Sequence, residues 1–298
     1  MFTTHAVTWA PMPFEDDADL VALAGRCLAA DGGLPLAADP AFLRRRWHAA
    51  GTRVLQGRDR AGRLVAAGAL RPGSGGVAFS GLVDPDARGR GIGSHLLGWG
   101  LAEGRGPAEA AGPVTVETES LTDAAAELFA AHGLEQVFAE DVMRIDLGAG
   151  APAAAGPAGM RFSGWSGENA PRFHGVYAAA FRERPGFPGW SEAEWIAEVT
   201  GDDEFRPQWS VLATLPELGD AGFVTAAVDW IVQVGVVPAA RRRGVGEALV
   251  TEALRRMRAD GATHAWLDVN VDNIAVRLYR KLGFEHRGRR ARYRVCDV

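Results

Sequence analysis

"VGVVPAARRRGVGEALVTEALR" (residues 234–255) and "GLVDPDARGRGIGSHLLGWGLA" (residues 81–102) decide how this chain is read. In both, an apolar strand ends in Val-x-Pro, at Val236–Pro238 and at Val83–Pro85. Proline lacks the donor that a β-ladder needs, so the strand stops and the chain turns. Three residues on comes R-x-x-G-x-G: Arg241, Gly244 and Gly246 in one copy, Arg88, Gly91 and Gly93 in the other. An alanine- and leucine-rich helix follows. Glycines at a helix mouth let the backbone come close to a ligand. The first N–H groups of the helix have no internal partner, and its dipole is positive there. Such a turn suits phosphate, and arginines beside it add bidentate donors. The pattern predicts a ligand that carries phosphate, a pyrophosphate above all. A Walker-type loop would need Gly-Lys-Ser/Thr, which neither copy has. A dinucleotide fingerprint would need G-x-G-x-x-G. The first copy approaches it with Gly89, Gly91 and Gly93, but Arg242 stands where Gly89 would repeat.

The two copies belong to an internal duplication. Gly91 and Gly244 lie 153 positions apart, and a second block, "LFAAHGLE" (128–135), recurs 150 positions on as "LYRKLGFE" (278–285). Between the halves, "GAGAPAAAGPAG" (148–159) holds only Gly, Ala and Pro, a composition that suits a linker. Two domains are therefore expected, at 1–147 and 160–298. Each half reads in one order. Two helices come first (17–30 and 40–50; 169–182 and 191–201), the last opened by the capping pattern of Ser191 and Glu194. Three strands follow (53–57, 63–71 and 77–83; 208–214, 223–228 and 230–237). Then come the glycine turn, a helix, a strand (114–119; 264–269), another helix and closing strands. This is mixed α/β in each half.

Bulk properties narrow the function. The 298 residues are 47% hydrophobic and 23% charged, the make-up of an ordinary globular protein with room for two cores. A formal net charge of −5 argues against a clamp on duplex nucleic acid. Lys281 is the one lysine among 32 basic residues, which reads as codon bias. Two cysteines near opposite ends, Cys27 and Cys296, make no disulfide framework and read as core fillers. No secretion signal, metal-ligand spacing or membrane-length apolar run is present, so no membrane or metal partner is expected and the expected compartment is the cytoplasm.

The order V-x-P-x-x-R-x-x-G-x-G, helix, strand, A-x-x-L-Y-x-x-x-G-F resembles the GNAT superfamily of acyl-CoA-dependent N-acetyltransferases. The second half carries it with Val236, Pro238, Arg241, Gly244, Gly246, Ala275, Leu278, Tyr279, Gly283 and Phe284. The first half matches the first block fully and the second in part. The tandem pair, with "AAFRERPGFPGWSEAEW" (179–195), is more loosely similar to the mycothiol synthases. The resemblance implies two GNAT-like domains, each a mixed, mostly antiparallel sheet flanked by helices, with the second one catalytic. It implies acetyl-CoA along Val234 and Val236, and at Arg241, Arg242, Arg243, Gly244, Val245, Gly246, Glu247 and Asn273. The first-half equivalents are Val83, Arg88, Gly89, Arg90, Gly91, Gly93 and Ser94. Asn273 stands one place later than the family's asparagine, with Asp272 in its position.

Acetyl transfer from a thioester to an amine, through a tetrahedral intermediate, needs a neutral amine, donors for the oxyanion and a proton for the departing thiolate. The resemblance assigns the proton to Tyr279. The first-half equivalent is Phe129, which has none to give, and His132 beside Gly133 reads as a helix C-cap. For the base, Asp229 is the nearest carboxylate, while the family's acidic position falls on Trp230. Gln233, on the same face, could hold a water, Asp268 is a second candidate, and a water chain is an alternative. Arg184, Phe187 and Trp190, with Trp230 and Asp268, are expected around the acceptor. That acceptor is expected to be the primary amine of a small molecule: a cysteinyl amine as for mycothiol synthase, an aminoglycoside or a similar metabolite. Peptide or protein amines, or an acyl-CoA-binding sensor or scaffold without turnover, are the alternatives. A monomer or homodimer is expected.

Overall fold

The computed structural model describes residues 7–12, 17–73, 76–105, 113–148, 156–184 and 186–295. Cys296 and the middle of the expected linker lie outside the described residues. In chain order the elements begin with β1 (Thr8–Pro11), α1 (Asp17–Asp31), α2 (Pro40–Trp47), β2 (Arg53–Arg58), β3 (Leu64–Gly73) and β4 (Gly76–Val83). Next come α3 (Ile92–Arg105), β5 (Val114–Thr118), α4 (Asp123–Ala131) and β6 (Leu134–Asp146). The second series is β7 (Arg161–Gly164), α5 (Ala170–Phe181), α6 (Glu192–Thr200), β8 (Val211–Leu215), β9 (Gly219–Ala227) and β10 (Trp230–Val236). It closes with α7 (Val245–Ala259), β11 (His264–Asn270), α8 (Val276–Lys281) and β12 (Glu285–Val295). Each Val-x-Pro opens a single 3-10 turn, Pro85–Ala87 and Pro238–Ala240.

Local chemistry accounts for the helix starts. Asp39 accepts from the Phe42 N–H at 2.8 Å, and Pro40 takes the first helical position, where no N–H is missed. Thr122 caps α4 through the Ala125 N–H. Ser191 and Glu194 form the full capping box that the sequence announces. The two short strands β1 and β7 are not legible in the sequence. Each is four residues long and owes its existence to an antiparallel neighbour, β2 or β8.

The chain divides into two compact units, Met1–Val142 with Arg287–Val298, and Met143–His286. In the first, the strand order is β1-β2-β3-β4-β5-β12, with β6 next to β12. In the second, β11-β10-β9-β8-β7 follow in order, beside the end of β6. β4 pairs parallel with β5 and β10 with β11, while β2–β3, β3–β4, β8–β9 and β9–β10 are antiparallel. The core of the first unit packs Leu20, Leu23 and Cys27 of α1 against Leu43, Trp47 and Leu64. The second unit has two layers. Leu249, Val250, Leu254 and Met257 of α7 cover one face of its sheet, and Phe173, Tyr177 and Trp195 of α5 and α6 cover the other with Phe223. Among the described residues no helix is long and apolar enough to cross a membrane.

The units depart from the expected ranges at two points. Residues 143–147, the end of β6 and the residue after it, fall in the second unit. Arg287–Val298 belongs to the first unit, not to the half in which it is encoded. β12 pairs antiparallel with β5, with Ala291 opposite Thr118 and Tyr293 opposite Val116. It brings Arg290 to 3.0 Å from Glu119 and Arg292 to 3.3 Å from Glu117. Arg46 completes both ion pairs, at 2.7 Å from Glu119 and 3.2 Å from Glu117. Strand periodicity identifies a strand but not its partner, so the sequence could not foresee this.

Glu119 is buried, and Arg46 keeps it paired when Arg290 is removed, so the loss is that of one ionic contact to a buried carboxylate. Arg290→Met is expected to cost about 2 kcal/mol in denaturant unfolding. The loss should appear first as faster amide exchange in β5, with β9 and β10 unaffected.

Candidate functional site

The second unit builds its site around strand β10. This strand pairs with β11 at a single position, Trp230 opposite Trp266. On its other side it stays paired with β9 through Val236, with a register shift between Ile231 and Gln233. Beyond Trp230 the two parallel strands part, which frees one edge of Val234–Val236. An extended ligand can pair with such an edge as an added strand does.

The turn after β10 is held in a left-handed conformation. Gly244 has φ +84°, and Arg242 has φ +60°, matching φ +73° at Gly89 in the first unit. The second copy thus keeps the backbone shape of the first while placing a side chain where glycine is easier. A Cβ at Gly244, Gly89 or Gly91 would meet nothing within 4 Å, so the space before each helix is open. No side chain caps α7, and its first N–H groups, from Val245 onward, face that space. Open space, unpaired donors and positive charge fit a diphosphate.

The arginines divide into two groups. Arg241 is engaged by the protein: it donates to the carbonyls of Val236 at 3.2 Å and Ala180 at 3.0 Å. Arg88 does the same in the first unit, with Val83 O at 3.1 Å and both oxygens of Asp31 at 2.6 Å. The first residue of the motif therefore ties the strand end to the first helix of its unit, α5 or α1. Arg243 pairs with Glu217 on the surface, while Arg242 and Arg90 are exposed. Glu247 pairs with Lys281 at 2.7 Å. Asn273 accepts the Ala275 N–H at 2.9 Å and so shapes the entry to α8. Ser94 is exposed on α3.

Tyr279 lies on α8, 7% exposed, with its ring 5.8 Å from that of Phe284. Burial, and then the charge of Asp268, pushes its phenol up to about 12. It therefore keeps its proton at any physiological pH. In the first unit Phe129 is buried against Tyr293, ring centroids 4.8 Å apart. His132 caps α4, with Nδ1 2.8 Å from Leu128 O. Cys27 is a buried thiol pushed up to about 11 by burial, a core filler as its setting implies.

A cavity of about 370 Å³ opens in the first unit. It runs from Gly89, Gly91 and Ser94 at the glycine turn to Glu117, Arg46 and Trp47 deeper in. A second cavity of about 460 Å³ lies in the second unit, where α6 meets β9 and β10. Of the residues expected around the acceptor, Trp190 lines this cavity. Phe187 packs on Tyr177 at 5.4 Å, and Arg184 lies over the Phe181 ring at 5.9 Å. Trp230 stacks on Trp266 at 6.2 Å, with Arg144 over the Trp266 ring at 5.8 Å. Asp229 is in the β9–β10 turn at φ +57°, 3.8 Å from His264. Trp266, Arg144, Thr225 and Phe205 were missed in the sequence. Strand alternation could have placed Trp266 on the face of Asp268, but nothing local marks the others.

The Acetyltransferase (GNAT) family matches residues 181–284. A mycothiol acetyltransferase of Rhodococcus opacus is 32% identical over 90% of this chain and 91% of its own length. One from Clavibacter michiganensis is 30% identical over 81% and 79%. Among solved structures, a GCN5-related N-acetyltransferase from Sphaerobacter thermophilus superposes with a TM-score of 0.75 at 24% identity, covering 97% of this chain and 95% of that one. A tandem GNAT protein from the clavulanic acid biosynthesis pathway reaches 0.62 at 19% identity, covering 98% and 100%. The chain therefore belongs to the GNAT acetyltransferase family, as an acyltransferase with two GNAT-like folds in tandem.

Proposed function

We propose that the second unit transfers the acetyl group of acetyl-CoA to the primary amine of a small molecule. The observation that carries this reading is the buried, protonated Tyr279 in a unit whose glycine turn is open and uncapped. Acetyl-CoA supplies the thioester when bound. The α7 N–H groups and Arg242 receive its diphosphate, and the free edge at Val234–Val236 receives its pantetheine arm. A backbone N–H of that stretch stabilises the oxyanion, and the Tyr279 phenol donates to the departing sulfur. Asp229, half-buried in its turn, reaches the amine through water if it serves as base. The relatives' name, mycothiol acetyltransferase, supports an acceptor of that kind, a cysteinyl amine.

The first unit takes acetyl-CoA in its cavity without turning it over. Phe129 offers no proton, and Glu117 is held by Arg46, Arg71 and Arg292. A chain silent in both halves is the alternative reading, favoured for the first half alone by Phe129.

Tyr279→Phe should lower kcat by roughly 10²–10⁴-fold while leaving acetyl-CoA affinity unchanged, as read by thiol release and calorimetry. Unchanged turnover would remove Tyr279 as the acid. In the wild type, activity should rise with pH as the amine loses its proton. No fall due to the phenol should appear below the neighbourhood of pH 12. Arg242→Gly relieves a left-handed arginine, so it should leave thermal stability equal or higher while weakening acetyl-CoA binding about fivefold. Calorimetry on the intact chain should find two acetyl-CoA sites; one site would leave the first cavity without this ligand.

A further inference from the structure

We propose that Lys281 is an acetylation site through which acetyl-CoA limits its own binding to the second unit. This rests on the acetyl-CoA reading of that unit and adds a control to the same site. Lys281 is the one lysine among 32 basic residues. It closes α8, the helix that carries Tyr279. Its Nζ lies 2.8 and 2.7 Å from the two carboxylate oxygens of Glu247. Glu247 stands in the first turn of α7, the uncapped turn beside the open space at Gly244 where the diphosphate is proposed to sit. A bare carboxylate there competes for the positive end of the helix and repels an anionic ligand. The Lys281 ammonium cancels it.

The first unit supplies the comparison. By the repeat, Glu247 corresponds to Ser94 and Lys281 to Ala131. Acid and base are present together in one copy and absent together in the other, although both copies keep the glycine turn and its left-handed angles. The pair is therefore an addition to the turn's charge, not a part of the shared scaffold. Arginine would neutralise Glu247 equally well, and it fills the other basic positions. What lysine adds is a nitrogen that can be acylated, whereas a guanidinium keeps its charge. The Lys281 side chain is 65% exposed. An exposed ion pair is held weakly, so the amine is reachable from solvent.

In the step, the deprotonated Nζ attacks the carbonyl carbon of a free acetyl-CoA. An N–C bond forms, the C–S bond breaks, and the sulfur leaves as the CoA thiol with the proton that the nitrogen gives up. The product is a neutral amide, which cannot cancel Glu247. The uncovered carboxylate then opposes the next diphosphate, so accumulating acetyl-CoA weakens the site that consumes it.

The intact chain is incubated with acetyl-CoA and no acceptor. The peptide containing residue 281 is weighed by mass spectrometry, and calorimetry gives the acetyl-CoA affinities. An acetyl mass should appear on Lys281, and the modified chain should bind acetyl-CoA about fivefold more weakly at one site, the first unit's being unchanged. Lys281→Gln should reproduce this weakening. Lys281→Arg should keep the wild-type affinity. Adding Glu247→Gln to Lys281→Gln should restore the affinity, which a merely structural role for Lys281 would not do. All variants should melt as the wild type does, because the pair is exposed. A Lys281 left unmodified at saturating acetyl-CoA, a wild-type affinity in Lys281→Gln, or a double variant as weak as the single one overturns the proposal. No uptake of acetyl-CoA by the wild type would instead remove the acetyl-CoA reading, and this control with it.

Discussion

The parting of β10 from β11 is the constraint on which the second unit depends. Parallel strands normally bond along their length, yet these two meet only at Trp230 and Trp266. Two local features keep them apart. The register shift near Gln233 turns the strand, and Pro238 ends its ladder before the edge can close again. What remains is a free backbone edge that leads to an uncapped helix. An edge of this sort is a liability in most sheets. Here it is short, and it opens into the space left clear at Gly244.

The same construction in the first unit shows which parts are scaffold and which are chemistry. β4 and β5 pair in parallel over four positions and then diverge, and the glycine turn repeats with the same positive φ angles. Arg88 and Arg241 serve alike, each holding the strand end to the first helix of its unit, so the first residue of the motif is structural in both copies. The copies differ at the position proposed to supply the proton. Tyr279 has a phenol; Phe129 does not. They differ also in charge. Burial and then Asp268 in the second unit raise the proton affinity of Tyr279, whereas Glu117 of β5 and the buried Glu119 just beyond it are neutralised by a group of arginines, two of them on β12.

Much of this was legible in residue order. The glycine turns, their helices and the capping box at Ser191 follow from local rules that do not depend on distant contacts. The 150-residue repeat made two domains the natural reading, and the solved tandem GNAT protein agrees with it in fold. The acceptor side was less legible. Trp190 and Trp195 stand five residues apart in one stretch, but Trp195 is fully enclosed while Trp190 reaches a cavity. Which aromatic is core and which is wall depends on what packs over it, and that is not written nearby.

The sequence by itself determined the repeated backbone: where strands stop, where glycine permits a left-handed turn, and where a helix begins uncapped. These are decided within a few residues by proline, glycine and the unpaired N–H groups. Only the tertiary structure decided the partners. It gave the last strand to the first unit, turned Arg241 inward to two carbonyls, and set Thr225 opposite Gln233 across two strands without a bond for either oxygen. Burial and strand pairing join residues far apart in the chain, and no local pattern of polarity records which of them will meet.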